Sequence, residues 1–156
     1  MSYAEKNLLP GEQVVYRTGL HWVVLLAPIT FLVLSLAFAV WAMLRLQNQT
    51  SGLVRIFGFG LLGVAVIVFL IKLIYYRSAE FAVTSKRVML KVGWASRHSL
   101  ELILSKVEAI SVDQDLRGRV LGYGTITVTG TGGTKETFET LARPFEFRSQ
   151  VQGQIR

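Results

Sequence analysis

Two long stretches of the chain are almost free of charged side chains, and their apolar residues are continuous rather than periodic. Residues 22–44 carry no charge, and residues 56–76 carry only Lys72. A helix rises about 1.5 Å per residue, so each stretch can cross a hydrocarbon core of about 30 Å, provided that the Lys72 ammonium reaches the interface. The pattern therefore predicts two transmembrane helices.

The distribution of basic residues predicts the orientation of these helices. The link between them, residues 45–55, is short, which requires an antiparallel hairpin. It holds Arg45 and Arg55, whereas a larger basic group follows the second apolar stretch or ends it: Lys72, Arg77, Lys86, Arg87 and Lys91. The positive-inside rule then places the C-terminal part in the cytoplasm, and two crossings return residues 1–21 to the same side.

A cleaved signal peptide is the alternative interpretation of the first stretch, because Ala37-Phe38-Ala39 resembles a cleavage site. Signal peptides begin with a net positive segment. Here Glu5 and Glu12 balance the two basic residues of the first 21 positions. The charge pattern therefore favours a retained helix.

After the second stretch the apolar pattern becomes alternating, so that Val88 and Leu90 point to one face of a strand and Met89 to the other. Turn-forming segments such as Arg117-Gly118-Arg119 interrupt this alternation. Six or seven short strands over about 65 residues predict an antiparallel sandwich or a partly closed barrel. One amphipathic helix is predicted to close the chain. Its apolar stripe consists of Phe147, Val151 and Ile155.

Composition narrows the possible functions. The 156 residues have a formal net charge of +7, are 51% hydrophobic and include no cysteine. The absence of cysteine excludes disulfides, thiolate nucleophiles and cysteine-ligated metals. The basic residues are scattered and accompany no recognition-helix or base-stacking motif, which argues against nucleic-acid binding. Membrane topology and attraction to anionic lipid headgroups explain the positive charge better.

The sequence offers little that could carry catalysis or hold a metal. His21 and His98 are the only imidazoles, and two isolated histidines make neither a metal site nor a catalytic triad. The glycine-rich residues 130–133 lack the lysine and helix of a phosphate-binding loop, so a hairpin turn is the better interpretation. Asp113 and Asp115 could hold a cation, but a solvated strand end explains them better. We therefore predict no enzyme, no cofactor and no metal site.

Several short runs in the strand region occur in the order and spacing of one family. They are residues 80–88, Lys91-Val92-Gly93, Leu100-Glu101-Leu102, Lys106-Val107-Glu108, residues 122–126 and residues 129–134. Across residues 78–148 these runs resemble the bacterial pleckstrin-homology (PH) domain family. Leu9-Pro10-Gly11-Glu12 also resembles the opening of small bacterial membrane proteins that join two transmembrane helices to such a domain. The resemblance implies two antiparallel sheets closed by a C-terminal helix, and it implies assembly into rings or higher oligomers.

The predicted fold class is an α+β membrane protein in which a two-helix hairpin precedes a PH-like sandwich or barrel. Its segments are a cytoplasmic N-terminal segment (residues 1–21), transmembrane helices (22–44 and 56–76), an extracytoplasmic loop (45–55) and a cytoplasmic PH-like domain (78–156). The predicted location is the bacterial inner membrane, with both termini in the cytoplasm.

Basic residues on and after the first hairpin of the domain are the candidate lipid-binding group. They are Lys86, Arg87, Lys91 and Arg97. Eukaryotic PH domains that bind phosphoinositides place cations around this hairpin, where several of them converge on phosphates. Bacteria generally lack those lipids, so a role in solubility, topology or hairpin structure is the alternative.

We predict a non-enzymatic interaction or scaffold module that is anchored in the membrane and associates with itself. An edge strand near residues 124–129 is expected to invite pairing between copies. Recognition of anionic lipid headgroups by the basic hairpin is one alternative. An accessory role in a larger membrane complex is another. The expected partners are membrane lipids, other copies of the chain and, under the last alternative, another membrane protein. Nucleic acid is not an expected partner.

Overall fold

The computed structural model describes residues 3–45, 51–93 and 98–155. Its elements, in chain order, are α1 (Tyr3–Lys6), β1 (Val14–Thr18), α2 (Leu26–Arg45), α3 (Ser51–Ser78), β2 (Glu80–Thr84), β3 (Arg87–Val92), β4 (His98–Ile103), β5 (Val107–Asp113), α4 (Leu116–Leu121), β6 (Tyr123–Gly130), β7 (Lys135–Ala142) and α5 (Pro144–Ile155). They form two compact units. The helical unit is Trp22–Ile74, and the strand unit combines Met1–His21 with Tyr75–Arg156.

The helical unit holds α2 and most of α3. A 3-10 turn, Trp22–Leu25, leads into α2, and Pro28 lies in the first turn of that helix, where backbone N–H groups have no helical partner. The segments Trp22–Leu44 and Gly52–Ser78 are both long and apolar enough to cross a membrane. The second helix is longer than the sequence predicts because it already begins at Ser51.

Small residues allow α2 and α3 to approach closely. A Cβ atom added to Gly58 would lie 3.4 Å from the Cα atom of Ala39. Other buried positions on the two helices are also small: Ser35, Ala42 and Ala65. Only 17% of the apolar stretch in the first helix and 11% of that in the second are buried. The helices therefore leave most of their apolar surface uncovered by the protein.

The strand unit contains two antiparallel sheets. The first has the strand order β1-β2-β3-β4, and the second has the order β5-β6-β7. An isolated bridge between Leu20 and Leu141 joins the chain just after β1 to β7. Among the described strands, β4 and β5 do not pair with each other, so the unit consists of two sheets and is not a closed barrel.

The first sheet takes its edge strand from the segment that precedes the helices. β1 pairs antiparallel with β2, so that Val14 lies opposite Thr84 and Thr18 lies opposite Phe81. The predicted boundaries place residues 1–21 outside the PH-like domain, whereas in the structure Val14–Thr18 of this segment form a strand of its first sheet. The partner of β1 lies beyond both helices in the sequence, and a local apolar pattern cannot reveal such a pairing.

Apolar side chains from both sheets and from α5 fill the core of the strand unit. The rings of Phe81 and Phe138 meet edge to face, with their centroids 5.6 Å apart. α5 packs against β1, β2, β5 and β6, and its Phe147 and Val151 side chains are fully buried, whereas Ile155 is 46% exposed. The predicted closing helix is therefore confirmed, and its buried stripe ends one turn before its C-terminus.

The N-terminal segment covers the outer face of the first sheet. Ala4 of α1 forms a buried cluster with Ala82 and Met89. Met89 is 1% exposed, although the alternation in β3 points it away from the core. Strands covered on both faces lose the simple inside-outside alternation, and α1 supplies the second cover here.

β6 is the central strand of the second sheet. It pairs with β5 on one side and with β7 on the other. The expectation of an edge strand near residues 124–129 is therefore wrong, because the domain itself supplies both neighbours. The edges of this sheet are β5 and β7.

Candidate functional sites at the two ends of the strand unit

The turn between β2 and β3 gathers a group of charged residues. The Thr84 hydroxyl oxygen accepts the backbone N–H of Arg87 at 3.0 Å, so that the threonine closes its own turn. Glu12 reaches the same place from the N-terminal segment, because Gly11 adopts a φ of 75° and the Glu12 N–H donates to the Leu9 carbonyl oxygen at 2.9 Å. We call the group the Glu12–Arg87 cluster; its members are Glu12, Thr84, Arg87 and Glu101.

Arg87 and Glu12 form a two-pronged ion pair. The Nε atom of Arg87 lies 3.0 Å from Oε1 of Glu12, and its Nη2 atom lies 3.1 Å from Oε2. This bidentate geometry is the strong, directional form of an arginine–carboxylate contact. Nη1 also donates to Glu101 at 2.6 Å, and Nη2 donates to the Asn7 carbonyl oxygen. The guanidinium is thus directed at groups of the protein itself.

The Glu12 carboxylate is enclosed by the protein. Its side chain is 0% exposed, and that of Arg87 is 14% exposed. Burial alone would raise the pKa of Glu12, but hydrogen bonds from the Leu9 N–H, the Thr84 hydroxyl and Arg87 outweigh burial and hold that pKa below its ordinary value of 4.5. Glu12 is therefore charged at neutral pH, and Arg87 is the cation that compensates this charge.

The other end of the strand unit contains His21, the residue before the first apolar helix. Its ring lies against that of Tyr123, with centroids 5.5 Å apart, and its backbone N–H donates to the Thr140 carbonyl oxygen at 2.8 Å. Burial lowers the pKa of His21 below 6.5, and a hydrogen bond to the backbone of Leu121 opposes this change without reversing it. His21 is therefore neutral at pH 7.

β1 and β2 run between these two ends. Thr18 and Phe81 pair near His21, whereas Val14 and Thr84 pair beside the Glu12–Arg87 cluster. β2 has five residues, so its ends lie about 13 Å apart. The chain leaves for the helices after His21 and returns at the start of β2. The joints to both helices therefore lie at one end, and the Glu12–Arg87 cluster lies at the other.

The six-residue helix α4 lies beside His21, where the sequence predicts a turn at Arg117-Gly118-Arg119. The Oδ1 atom of Asp115 accepts the Gly118 N–H at 2.6 Å and caps the helix, and Gly122, with a φ of 82°, ends it. Aspartate before a helix and glycine after it are recognisable sequence signals. The six residues of this helix are too few to show a helical period, so the apolar pattern does not predict it.

The family assignment agrees with this architecture. A family model described as the bacterial PH domain matches residues 13–155. The chain belongs to the bacterial PH domain family. The match runs from the residue before β1 to the end of α5, with both helices inside it, and it confirms the resemblance noted in the sequence. Comparison with curated proteins found no match. Membership of a PH-like family suggests a protein-interaction or lipid-binding module.

The predicted lipid-binding residues of this bacterial PH domain differ in their surroundings. Arg87 is held inside the Glu12–Arg87 cluster. Lys86 is exposed, and its Nζ atom donates to the Pro10 carbonyl oxygen at 3.1 Å. Lys91 is half-buried on β3, and Arg97 lies outside the described residues. The structure brings Lys86 and Arg87 to one turn, where both contact the N-terminal segment. Lipid binding by this group stays a prediction.

The glycine-rich run and the aspartates that the sequence offers as candidate ligands occupy turns and strand ends of the bacterial PH domain. The glycine-rich run forms the predicted hairpin turn between β6 and β7, with Gly132 and Gly133 at φ 103° and 80°. Asp113 ends β5, and Asp115 caps α4. In the part of the chain that the structure describes, no three residues of the His, Cys, Asp and Glu types are grouped to hold a metal ion.

Proposed function

We propose that this bacterial PH domain protein is a non-enzymatic interaction module, anchored in the bacterial inner membrane by α2 and α3 and associated with further copies of itself. One observation carries the hairpin topology of this anchor. β1, which precedes the helices, pairs with β2, which follows them. Helices that leave one sheet and return to it cross a membrane an even number of times, as a two-helix hairpin does.

The surfaces of the two helices support insertion into lipid. The core helix of a soluble protein is mostly buried, whereas these helices are largely uncovered. Large apolar side chains are exposed along both of them, for example Leu34 at 68%, Leu53 at 78% and Ile67 at 59%. Apolar surface of this extent is stable in contact with acyl chains and costly in water.

The pairing of β1 also argues against cleavage after the first helix. A cut near Ala39 would remove α1 and β1 together with the helix. The edge of β2 would then lose its partner strand, and the buried Ala82 and Met89 would lose the cover that Ala4 provides. A retained helix keeps the first sheet complete.

The absence of enzymatic activity is proposed from the roles of the charged groups. Glu12 and Arg87 join the N-terminal segment to the β2–β3 turn, and Asp115 caps α4. In the described part of the chain, these contacts occupy three charged side chains on which acid, base or anion-binding chemistry could otherwise be built.

Two measurements test the anchoring and its orientation. Sodium carbonate extraction should leave the full-length chain in the membrane pellet, and release into the supernatant would contradict anchoring.

The chain has no cysteine, so the variants Asn48→Cys and Lys135→Cys can each be labelled in spheroplasts with a membrane-impermeant maleimide. We expect labelling at position 48 alone, because the positive-inside rule places the strand unit in the cytoplasm. Labelling at position 135 alone would reverse the orientation, and labelling at both would refute the hairpin.

Association between copies is the second part of the proposal. Gly60 and Gly63 on α3 face open space, with no atom within 4 Å of an added Cβ, and small residues of this kind permit close helix packing in membranes. Native mass spectrometry from mild detergent over a concentration series, which gives the protein mass without the detergent, should show species heavier than the 17.4 kDa chain. Replacing Gly60 and Gly63 by Leu should reduce the mass, whereas the control Gly52→Leu, also open, should not. A monomer at every concentration would contradict association.

A further inference from the structure

The small helix α4 exposes a concentrated group of apolar side chains. Leu116 is 80% exposed, Val120 is 85% exposed and Leu121 is 41% exposed. Single exposed apolar residues are common on protein surfaces and need no special cause. Three of them on a helix of six residues form a patch, and patches of this kind mark contact surfaces.

The helix holds two of these side chains on its outer side. Gly118 is buried, and a Cβ atom added to it would lie 2.5 Å from the Tyr123 carbonyl oxygen, so this position faces β6. Successive helical residues are rotated by about 100°. Leu116 and Val120, four positions apart, therefore project from the side opposite Gly118. We call this pair the α4 ridge.

Arg117 and Arg119 flank the α4 ridge, one on each side, because each lies about 100° from Gly118 around the helix axis. Both are exposed. The carboxylate of Asp115 is turned the other way, since it accepts the Gly118 N–H. Asp113 lies with it in a groove lined also by strand residues of β6 and β7. An apolar ridge with a cation on either flank matches a bilayer interface, in which phosphates lie above acyl chains.

α4 contacts His21, the last residue of the strand unit before the first apolar segment begins. His21 is hydrogen-bonded to the backbone of Leu121, the last residue of α4, and its ring contacts that of Tyr123. The next residue in the chain, Trp22, begins the first apolar segment. Six helical residues extend about 9 Å, so the whole of α4 lies within about that distance of the contact with His21.

We propose that the α4 ridge inserts into the interface of the bilayer that holds α2 and α3, where Arg117 and Arg119 bind the phosphates of anionic lipids. This inference deepens the proposed function and rests on it, because it requires that the helices are in a membrane. The anchor confines α4 to the membrane surface, so the effective concentration of lipid is high and a small contact suffices. The contact fixes the orientation of the strand unit on the membrane.

A second copy of the chain fits the α4 ridge less well than a lipid surface does. Two ridges that faced each other would bring two Arg117 and two Arg119 side chains together, and like charges at an interface repel. An anionic bilayer instead offers a phosphate to each arginine.

The test uses the full-length chain in vesicles of phosphatidylcholine and phosphatidylglycerol. Single-cysteine variants carry the fluorophore NBD, whose emission moves to shorter wavelength in apolar surroundings. Val120→Cys probes the ridge, and its 85% exposure means that the fold tolerates the change. Thr131→Cys is the matched control, because it is exposed and lies beyond Gly130, about 23 Å along β6 from Tyr123. Leu34→Cys in the first helix reports the anchoring itself.

We expect the labels at positions 34 and 120 to be blue-shifted and to be quenched by lipids that carry a nitroxide, and the label at position 131 to show neither effect. A label in lipid at position 34 but in water at position 120 would overturn the inference and leave the anchoring intact. A label in water at position 34 would overturn both. A label at position 120 that is shielded but not quenched by lipid would show a protein contact and would also overturn the inference.

The arginines allow a second measurement on the Val120→Cys label. Replacing Arg117 and Arg119 by Gln should lower the ratio of inserted to free α4 about fivefold for each arginine. Lys86→Gln, at the other end of the strand unit, should leave the ratio unchanged. Vesicles of phosphatidylcholine alone should reproduce the effect of the double variant. The same ratio in anionic and neutral vesicles would overturn the assignment of lipid phosphates to these arginines.

Discussion

The two ends of the strand unit use charged and apolar side chains in opposite ways. At one end the Glu12–Arg87 cluster buries its central ion pair, with the Glu12 side chain 0% exposed and that of Arg87 14% exposed. At the other end the α4 ridge presents Leu116 and Val120 to the outside. In the sequence the first resembles a ligand site and the second a turn. Charged residues mark a binding surface only where the protein has not already supplied their partners.

The difference follows from what each end holds together. The Glu12–Arg87 cluster fastens a separate segment of the chain to the β2–β3 turn, and charge-assisted hydrogen bonds to Glu12 and to the Asn7 carbonyl oxygen provide that attachment. α4 is attached to its own neighbours by the Asp115 cap and by the close approach of Gly118 to Tyr123. Its larger side chains are not needed for packing, and they remain available.

Removal of Arg87 should have the largest effect on stability. Arg87→Ala leaves the Glu12 carboxylate buried without its cation, which should lower the free energy of unfolding by about 3–5 kcal/mol. Lys86→Ala is the control on the same turn. Its ammonium is exposed, so the loss should be below about 0.5 kcal/mol. Urea unfolding in mild detergent, followed by circular dichroism, measures both, and equal midpoints would show that the cluster does not hold the N-terminal segment.

A methyl group at Gly118 should have the next largest effect. The added Cβ of Gly118→Ala would lie 2.5 Å from the Tyr123 carbonyl oxygen and 2.8 Å from the Asp115 carboxylate. The overlap should cost about 1–3 kcal/mol of unfolding free energy and displace α4. Gly153→Ala on α5 is the control, since its Cβ would meet open space, and it should stabilise the helix by about 0.5–1 kcal/mol. Stabilisation by both variants would mean that α4 is not packed against β6.

Much of the fold could be predicted because its signals are local. The two apolar stretches, which carry only Lys72 as a charged residue, predict α2 and α3, and the alternation around Ile126 and Val128 predicts β6. β1 could not be predicted in this way, since a strand of five residues is identified by its partner, and that partner, β2, follows both helices. The central position of β6 in its sheet could not be predicted either, because strand order is a non-local property.

The candidate site was predictable only in part, for a related reason. The sequence singles out Lys86 and Arg87 as cations on a hairpin, which is where the structure has them. It does not reveal that Glu12 is folded against Arg87, because that contact joins residues on opposite sides of the helices. The α4 ridge depends on the inward position of Gly118, which is a property of the folded backbone.

Acid should weaken the cluster end through Glu12. The folded state holds the pKa of Glu12 below 4.5, so the unfolded chain takes up a proton first as the pH falls. The contribution of the Glu12 carboxylate to the stability of the fold is complete above about pH 4.5. It is lost as the pH falls through the lower pKa that Glu12 has in the folded state. Glu12→Gln should flatten this part of the pH profile in urea unfolding, whereas Glu108→Gln, at an exposed position, should leave it in place. An unchanged profile in the Glu12 variant would contradict the assignment.

The smallest effect on stability should come from the α4 ridge, where the comparison between the two ends is most sharply tested. Leu116→Ser and Val120→Ser, made together, should change the free energy of unfolding in detergent by less than about 0.5 kcal/mol each, because these side chains pack against little in the protein. Leu141→Ala, at a position that is 0% exposed, is the contrasting control and should cost about 2–5 kcal/mol.

The same double variant should nevertheless reduce the contact of α4 with lipid, which an NBD label attached through Leu121→Cys can report in anionic vesicles. Loss of lipid contact with unchanged stability separates a surface that serves an external partner from one that holds the fold. A stability loss as large as that of Leu141→Ala would mean that the ridge is packed against the protein. The two ends would then differ only in the type of side chain they bury, and the inference of an interfacial helix would fail with the comparison.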